Sequence, residues 1–198
     1  EELSKHLAEI NRELAGEKLE GAVVVIENKT GYVLALSGGH GFSETNFNRA
    51  LALRSPGSGF KPIVYAAAFE LADKNFNDAI CNCPFTMPAK ISFNGTVLKW
   101  WSPRNFAERN PVPYGNIPLS TGLIRSVNLA TLNLAKETGI KQIIGVAHNL
   151  GIWGNRGVQR DSEQNIWFKT SQSDETDETG LQPYLPTSIG GSDVSLLE

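Results

Sequence analysis

Ser58 and Lys61 stand three residues apart in Ser58-Gly59-Phe60-Lys61. On a helix that spacing puts a hydroxyl and an amine on one face, within reach of each other. A serine hydroxyl is a weak nucleophile until a neighbouring base takes its proton. A lysine can be that base when burial and the positive end of a helix favour its neutral form. A serine at a helix start also lies beside backbone N–H groups that can hold a developing oxyanion. The tetrad therefore points to acyl transfer through a covalent intermediate. Alone it is a weak signal, because a capping serine followed by a surface lysine gives the same pattern and is commoner.

Other chemistries find little support. The two cysteines, Cys81 and Cys83, form a single C-x-C, and His6, His40 and His148 are scattered. Structural zinc needs four ligands at suitable spacing, so no metal and no cofactor is expected. The cysteine pair could close a small disulfide in an oxidising compartment, but two free thiols in a loop are the preferred reading. A net charge of -3 leaves no basic footprint, which argues against nucleic acid and anionic membrane surfaces as partners. With 40% hydrophobic and 20% charged residues the composition is that of an ordinary soluble globular domain. No apolar run approaches the ~18–20 residues that span a bilayer. No signal peptide is visible and the first residue is Glu1, so a processed product or a fragment is expected.

Several elements must position the tetrad. Leu3, Leu7, Ile10 and Leu14 recur at helical spacing, which predicts an amphipathic helix over residues 3–15. Gly21 to Glu27 and Tyr32 to Leu36, separated by Asn28-Lys29-Thr30-Gly31, read as a β-hairpin. Lys61 to Leu71 reads as a mostly buried helix, with Pro62 tolerable because it lies in the first turn. Residues 75–116 read as irregular and rich in Asn and Pro. Helical signals return over Ile117–Arg125, Leu129–Lys136 (closed by Gly139) and Lys141–Leu150 (stopped by Gly151). Residues 154–180, with the acidic run Asp174 to Glu178, read as an exposed loop. Leu181 to Glu198 leads into what reads as the start of another helix.

Wider context strengthens the tetrad. Arg54-Ser55-Pro56-Gly57-Ser58-Gly59-Phe60-Lys61-Pro62 closely resembles the nucleophile motif of penicillin-binding proteins. Asn46-Phe47-Asn48-Arg49-Ala50 is similar to the stretch that precedes it in class A members, and Trp101-Ser102-Pro103-Arg104-Asn105-Phe106 resembles their W/Y-S-P-x-N-Y/F segment. Arg125-Ser126-Val127-Asn128 resembles the second active-site motif, S-x-N, here in a turn between two helices. The hairpin from Ala22 to Leu36 matches the opening strands of the family's sheet. Leu185 to Glu198 looks like the family's P-S-x-x-L-G-x-x-E-V-T-x-L-E stretch. The resemblance covers residues 20–198 nearly throughout, with its motifs in order.

That resemblance implies an α+β fold of the penicillin-binding-protein and serine β-lactamase type, present mostly as its helical part plus the opening hairpin. Residues 1–20 would be a linker or opening helix, and residues 21–198 the N-terminal portion of a transpeptidase domain. Ser58 would attack the carbonyl between two D-alanines of a peptidoglycan stem peptide, with Lys61 as base. Ser126 would relay a proton to the departing amine, and Asn128 would hold Lys61 and the substrate backbone. Trp101 and Asn105 would contact substrate. A neighbouring stem peptide's amine then completes the cross-link, and a β-lactam would acylate Ser58 and stay. The resemblance also implies a glycosyltransferase domain in the parent protein, a membrane anchor, and a place outside the cytoplasmic membrane.

One departure stands out. The third family motif, the four residues K-T-G-T or K-S-G-T, is absent from these residues; Phe168-Lys169-Thr170-Ser171 has the Lys-Thr but no Gly. In the family that motif lines the cleft and supplies a cationic contact and a second oxyanion donor, whose loss typically costs ~10²–10³ in rate. The chain is therefore expected to be an N-terminal piece, impaired or inactive alone, whose partner is a remainder of the domain carrying K-T-G. A serine β-lactamase is the enzymatic alternative and a β-lactam-binding sensor or idle scaffold the other. Tyr114-Gly115-Asn116 has the letters of a class D β-lactamase motif but precedes Ser126 instead of following it, and Glu163-Gln164-Asn165 does not match the deacylating motif of class A β-lactamases.

Overall fold

The structure, a computed structural model, describes residues 2–13, 19–39, 47–93, 96–106, 111–154, 158–160, 166–168 and 180–197. In chain order the first elements are α1 (Glu2–Glu13), β1 (Val23–Ile26), β2 (Val33–Ser37), a 3-10 turn (Gly57–Phe60) and α2 (Lys61–Leu71). Next come β3 (Ala79–Asn82), β4 (Met87–Phe93), β5 (Thr96–Trp101), β6 (Gly115–Pro118), α3 (Leu119–Ile124), α4 (Asn128–Thr138) and α5 (Ile140–Asn149). Two short strands, β7 (Val158–Arg160) and β8 (Ile166–Phe168), and a second 3-10 turn (Leu185–Ile189) follow. The chain divides into two compact units, one made of residues 1–55, 153–180 and 193–198, the other of residues 56–152 and 181–192.

In the first unit, α1 buries Leu7 and ends with Asn11 bonded both ways to the backbone of Leu19. The β1–β2 hairpin forms as the sequence predicts, antiparallel with Val23 opposite Ser37 and a register shift between Val25 and Ile26. Gly31, at φ +75, closes its turn by donating to the Glu27 carbonyl at 2.8 Å, a conformation that glycine adopts without Cβ strain. Arg54 and Val194 exchange both backbone bonds at 2.9 Å. The polar stretch expected as an exposed loop contains the antiparallel pair β7–β8; its acidic run lies outside the described residues.

The second unit holds the helices. The apolar run of α2 packs against α4 and α5; Ile63, Val64, Tyr65, Ala67 and Ala68 are buried on α2, and Leu129, Leu132, Leu134, Ile143 and Ala147 on the two partner helices. Pro62 falls in the first turn of α2, where no intrahelical donor is needed. Gly139, at φ +93, ends α4 and starts α5. Gly122 of α3 lies so close to α2 that a Cβ there would meet the Tyr65 hydroxyl at 2.5 Å. The last segment is not a helix start as expected: Pro186 and the left-handed Gly190 (φ +83) confine it to one 3-10 turn.

Residues 75–116 are more ordered than the sequence suggested. β3 pairs antiparallel with β6, and β4 with β5. Asn94-Gly95, the strongest short-range hairpin signal, stands between β4 and β5; the surrounding Pro and Asn obscured it. Cys81 and Cys83 are likewise not free thiols in a loop. Cys81 lies in β3 with Cys83 directly after it, and the two are joined as a disulfide, Cα–Cα 5.1 Å. Residues i and i+2 of an extended segment point to one face, and that separation lies inside the usual disulfide range. No described helix is long and apolar enough to cross a membrane.

Candidate active site

Ser58 sits in the 3-10 turn that runs straight into α2. Gly57 precedes it at φ +52, Gly59 donates to the Pro56 carbonyl at 3.0 Å, and Lys61 donates its backbone N–H to the Ser58 carbonyl. Phe60, buried, anchors the turn, while Ser58 and Gly59 are exposed. Gly190 packs directly on the backbone of Gly57, where a Cβ would overlap it. The serine is thus held from below and open above. Among the described residues no side chain bonds its hydroxyl.

Lys61, first residue of α2, is 1% exposed. Its amine donates to three acceptors across the S-x-N turn: the Ser126 carbonyl at 2.5 Å, the Ser126 Oγ at 2.9 Å and the Asn128 Oδ1 at 2.7 Å. Removal from water pushes its pKa from 10.5 down to about 8, because burial penalises the charged form. The neutral amine keeps two donors and gains a lone pair. It can then donate to the Ser126 carbonyl and Asn128 Oδ1 while its lone pair faces a hydroxyl.

Ser126 occupies the left-handed region at φ +51, one of two non-glycine residues there among those described. Such a conformation costs of order 1–3 kcal/mol and persists only where neighbours enforce it. Here Ser126 and Val127 donate backbone N–H groups to the Leu123 and Gly122 carbonyls at 3.0 and 2.8 Å. Asn128 opens α4, its Nδ2 donating to the Arg104 carbonyl at 3.0 Å. Lys61, Ser126 and Asn128 are therefore brought together as the sequence predicted, while Ser58 joins them through the chain.

Asn105 is placed beside the site with its amide already engaged. Its Oδ1 accepts from the Leu129 backbone N–H at 3.0 Å, and its Nδ2 donates to Asn82 Oδ1 at 2.8 Å. Trp101 packs edge-on against Phe85, centroids 6.3 Å apart. Phe85 in turn lines a cavity of about 390 Å³ with Thr86, Ser102, Pro103, Arg104 and Tyr114. Asn82 and Asn133 were missed from sequence. Asn133 donates to the carbonyls of Cys81 and Cys83 at 2.8 and 3.2 Å.

The model of the family described as "Penicillin binding protein transpeptidase domain" matches residues 21–198. The chain belongs to that family. Among curated relatives, Penicillin-binding protein 1A of Aquifex aeolicus is 34% identical over 137 residues, 68% of this chain and 17% of the relative. Penicillin-binding protein 1A of Rickettsia felis is 37% identical over 139 residues, covering 68% and 16%. That of Neisseria gonorrhoeae is 40% identical over 126 residues, covering 62% and 14%. The chain spans about a sixth of the length of such relatives. The crystal structure of Penicillin-Binding Protein 1A from Haemophilus influenzae matches 90% of this chain and 22% of that one, with a TM-score of 0.65 at 22% identity. The α+β transpeptidase fold expected from the motifs is therefore the fold observed, and Ser58, Lys61, Ser126 and Asn128 all lie within the matched residues.

Proposed function

We propose that this chain supplies the acylating machinery of a serine D,D-transpeptidase that cross-links peptidoglycan stem peptides ending in D-Ala-D-Ala. The observation that carries the reading is Lys61: a buried amine with a lowered pKa, tied to Ser126 and Asn128 three residues from an exposed serine. Neutral Lys61 takes the Ser58 proton as Oγ bonds to the scissile carbonyl carbon. The bond to the terminal D-alanine then breaks, and its amine leaves with a proton relayed through Ser126 from Lys61. An amine of a second stem peptide attacks the ester, releases Ser58 and forms the cross-link. Asn128 orients Lys61, and Trp101 and Asn105 shape the substrate side. A β-lactam opens on the same serine.

In this reading the chain works with a segment carrying the cleft-lining K-T-G-T, since the one K-T-G of these 198 residues, Lys29-Thr30-Gly31, is followed by Tyr32 and forms the β1–β2 turn. The parent protein would carry a glycosyltransferase domain and a membrane anchor and would act outside the cytoplasmic membrane. Labelling with a fluorescent penicillin tests the reading, with the K-T-G-bearing segment present. Stable label mapped to Ser58 by peptide mass, and lost in Ser58→Ala, is the expected result. Rapid loss of label would point to a β-lactamase, and no label at all would leave only a scaffold.

A further inference from the structure

Asn82 lies far from any of the family's motif serines and lysines in sequence, yet it is 0% exposed and fully bonded. Its Nδ2 donates to the carbonyls of Val112 and Pro113 at 3.2 and 2.8 Å, and its Oδ1 accepts from Asn105 Nδ2 at 2.8 Å. Asn105 Oδ1 accepts from the Leu129 backbone N–H at 3.0 Å, one of the donors that a helix start leaves without an intrahelical partner. This chain of bonds has only one polarity. Backbone carbonyls cannot donate, so Asn82 must present its NH₂ to Val112 and Pro113 and its oxygen to Asn105. Asn105 must then present its NH₂ to Asn82 and its oxygen to Leu129.

The relay reaches the base by fixing the position of the chain beside Asn105. Fixing Asn105 places the Arg104 carbonyl, which accepts from Asn128 Nδ2 at 3.0 Å. An amide whose nitrogen is committed there can offer only its oxygen on the other side, and that oxygen lies 2.7 Å from the Lys61 amine. Asn82 is itself held at both flanks, because Asn133 bonds the carbonyls of Cys81 and Cys83 and the disulfide joins those two residues.

We propose that Asn82 is a positioning residue for acyl transfer: its buried amide anchors Asn105, and so holds in place the Arg104 carbonyl that binds the Asn128 nitrogen and leaves the Asn128 oxygen facing Lys61. The inference rests on the reading of Lys61 as the base. Asn82 touches no reacting atom and acts through Asn105, Arg104 and Asn128. An aspartate would fill the same space and still accept from Asn105, but could not donate to the two carbonyls, so Asn82→Asp cuts the relay from its backbone anchor while keeping the shape.

The test compares the intact chain with Asn82→Ala, Asn82→Asp, Asn105→Ala and the Asn82→Ala/Asn105→Ala pair. Two quantities are read: fluorescent-penicillin acylation per folded molecule, and the Lys61 titration followed by NMR of labelled lysine. Both Asn82 variants should slow the acylation step about tenfold with initial binding of the penicillin little changed. The Lys61 midpoint should move from about 8 up towards its ordinary 10.5 as water reaches the amine. The double variant should be no slower than Asn105→Ala, since the two residues act in series. A Lys61 midpoint unchanged in Asn82→Asp would overturn the inference. If the unsubstituted protein takes no label, the acyl-transfer reading fails, and the Lys61 titration still decides whether Asn82 controls the amine. If Asn82→Ala does not fold, the isosteric Asn82→Asp carries the comparison.

Discussion

Lys61 ends in an amine and is 1% exposed, whereas Leu34 in the β1–β2 hairpin ends in carbon and is 63% exposed. The same contrast runs through the two units that hold them. Around Lys61 the helices bury most of their apolar side chains, Leu71 and Ile124 staying exposed, and the polar groups they enclose are paired except for the Thr138 hydroxyl. The hairpin leaves Val23, Val25, Ile26, Val33, Leu34 and Leu36 exposed. Scattered exposed apolar residues are ordinary, so the informative cases are a buried charge-bearing group and a continuous exposed apolar surface. The first is Lys61, whose buried amine would be costly without the acceptors of Ser126 and Asn128 around it. The second marks a strand pair whose backbone edges, among the described residues, bond only to each other, which is marginal in isolation. Substitutions in the two regions should therefore differ in kind as well as in size.

The strongest way to break the contrast is Lys61→Met, which keeps the length of the side chain and removes the amine proposed as the base. Acylation should fall by about 10²–10⁴-fold, read as the rate of penicillin labelling. The unsubstituted protein should show the matching pH dependence. Acylation should rise as pH climbs towards about 8, where Lys61 loses its proton, and fall about tenfold for each pH unit below that. Stability carries the same sign. The unfolded chain holds the Lys61 proton up to about 10.5 and the folded one only to about 8, so unfolding free energy should increase with pH across that interval. A chemical-denaturation series between those limits checks it, and a flat or falling trend would refute the burial argument.

A smaller effect is expected at Gly190, where the left-handed φ of +83 and the Gly57 backbone leave no room for a Cβ. Gly190→Ala should displace the turn under Ser58, slowing labelling more than it lowers the melting temperature. At Gly122 the order reverses. The Cβ of Gly122→Ala meets the hydroxyl of buried Tyr65, which pairs with Thr131 at 3.4 Å, so overpacking should cost ~1–3 kcal/mol in denaturation with labelling per folded molecule nearly kept. The smallest effect belongs to the hairpin: Leu34→Thr should change stability by less than about 0.5 kcal/mol. A large loss there would show that the exposed surface is covered in solution.

Sequence reasoning reached the parts of this molecule whose signals are local. α2 was legible because an apolar run follows a proline placed where a first turn tolerates it, and β1–β2 because four turn-forming residues separate two β-rich runs. The S-x-x-K and S-x-N spacings were legible as motifs. That Lys61 is buried was not, since a surface lysine has the same letters and only the packing of α2 on α4 separates the two cases. β4 and β5 were passed over because Pro88 and a scatter of asparagines outweighed the Asn94-Gly95 signal. Asn82 and Asn133 gave no signal at all. Their partners are backbone carbonyls 30 to 52 positions away, and such pairings are a property of the fold, not of any window of residues.

The seat of Gly190 on Gly57 also bears on the order in which the protein assembles. The two glycines are separated by 133 positions (190 minus 57), so the loop they close is among the longest in the chain, and contacts of high sequence separation form slowly. The helix behind the serine can gain its structure from near neighbours, but the turn that presents the hydroxyl is completed only when the far segment docks. Refolding followed by helical signal should therefore run ahead of refolding followed by penicillin uptake. The lag between them would time the arrival of residues 185–191.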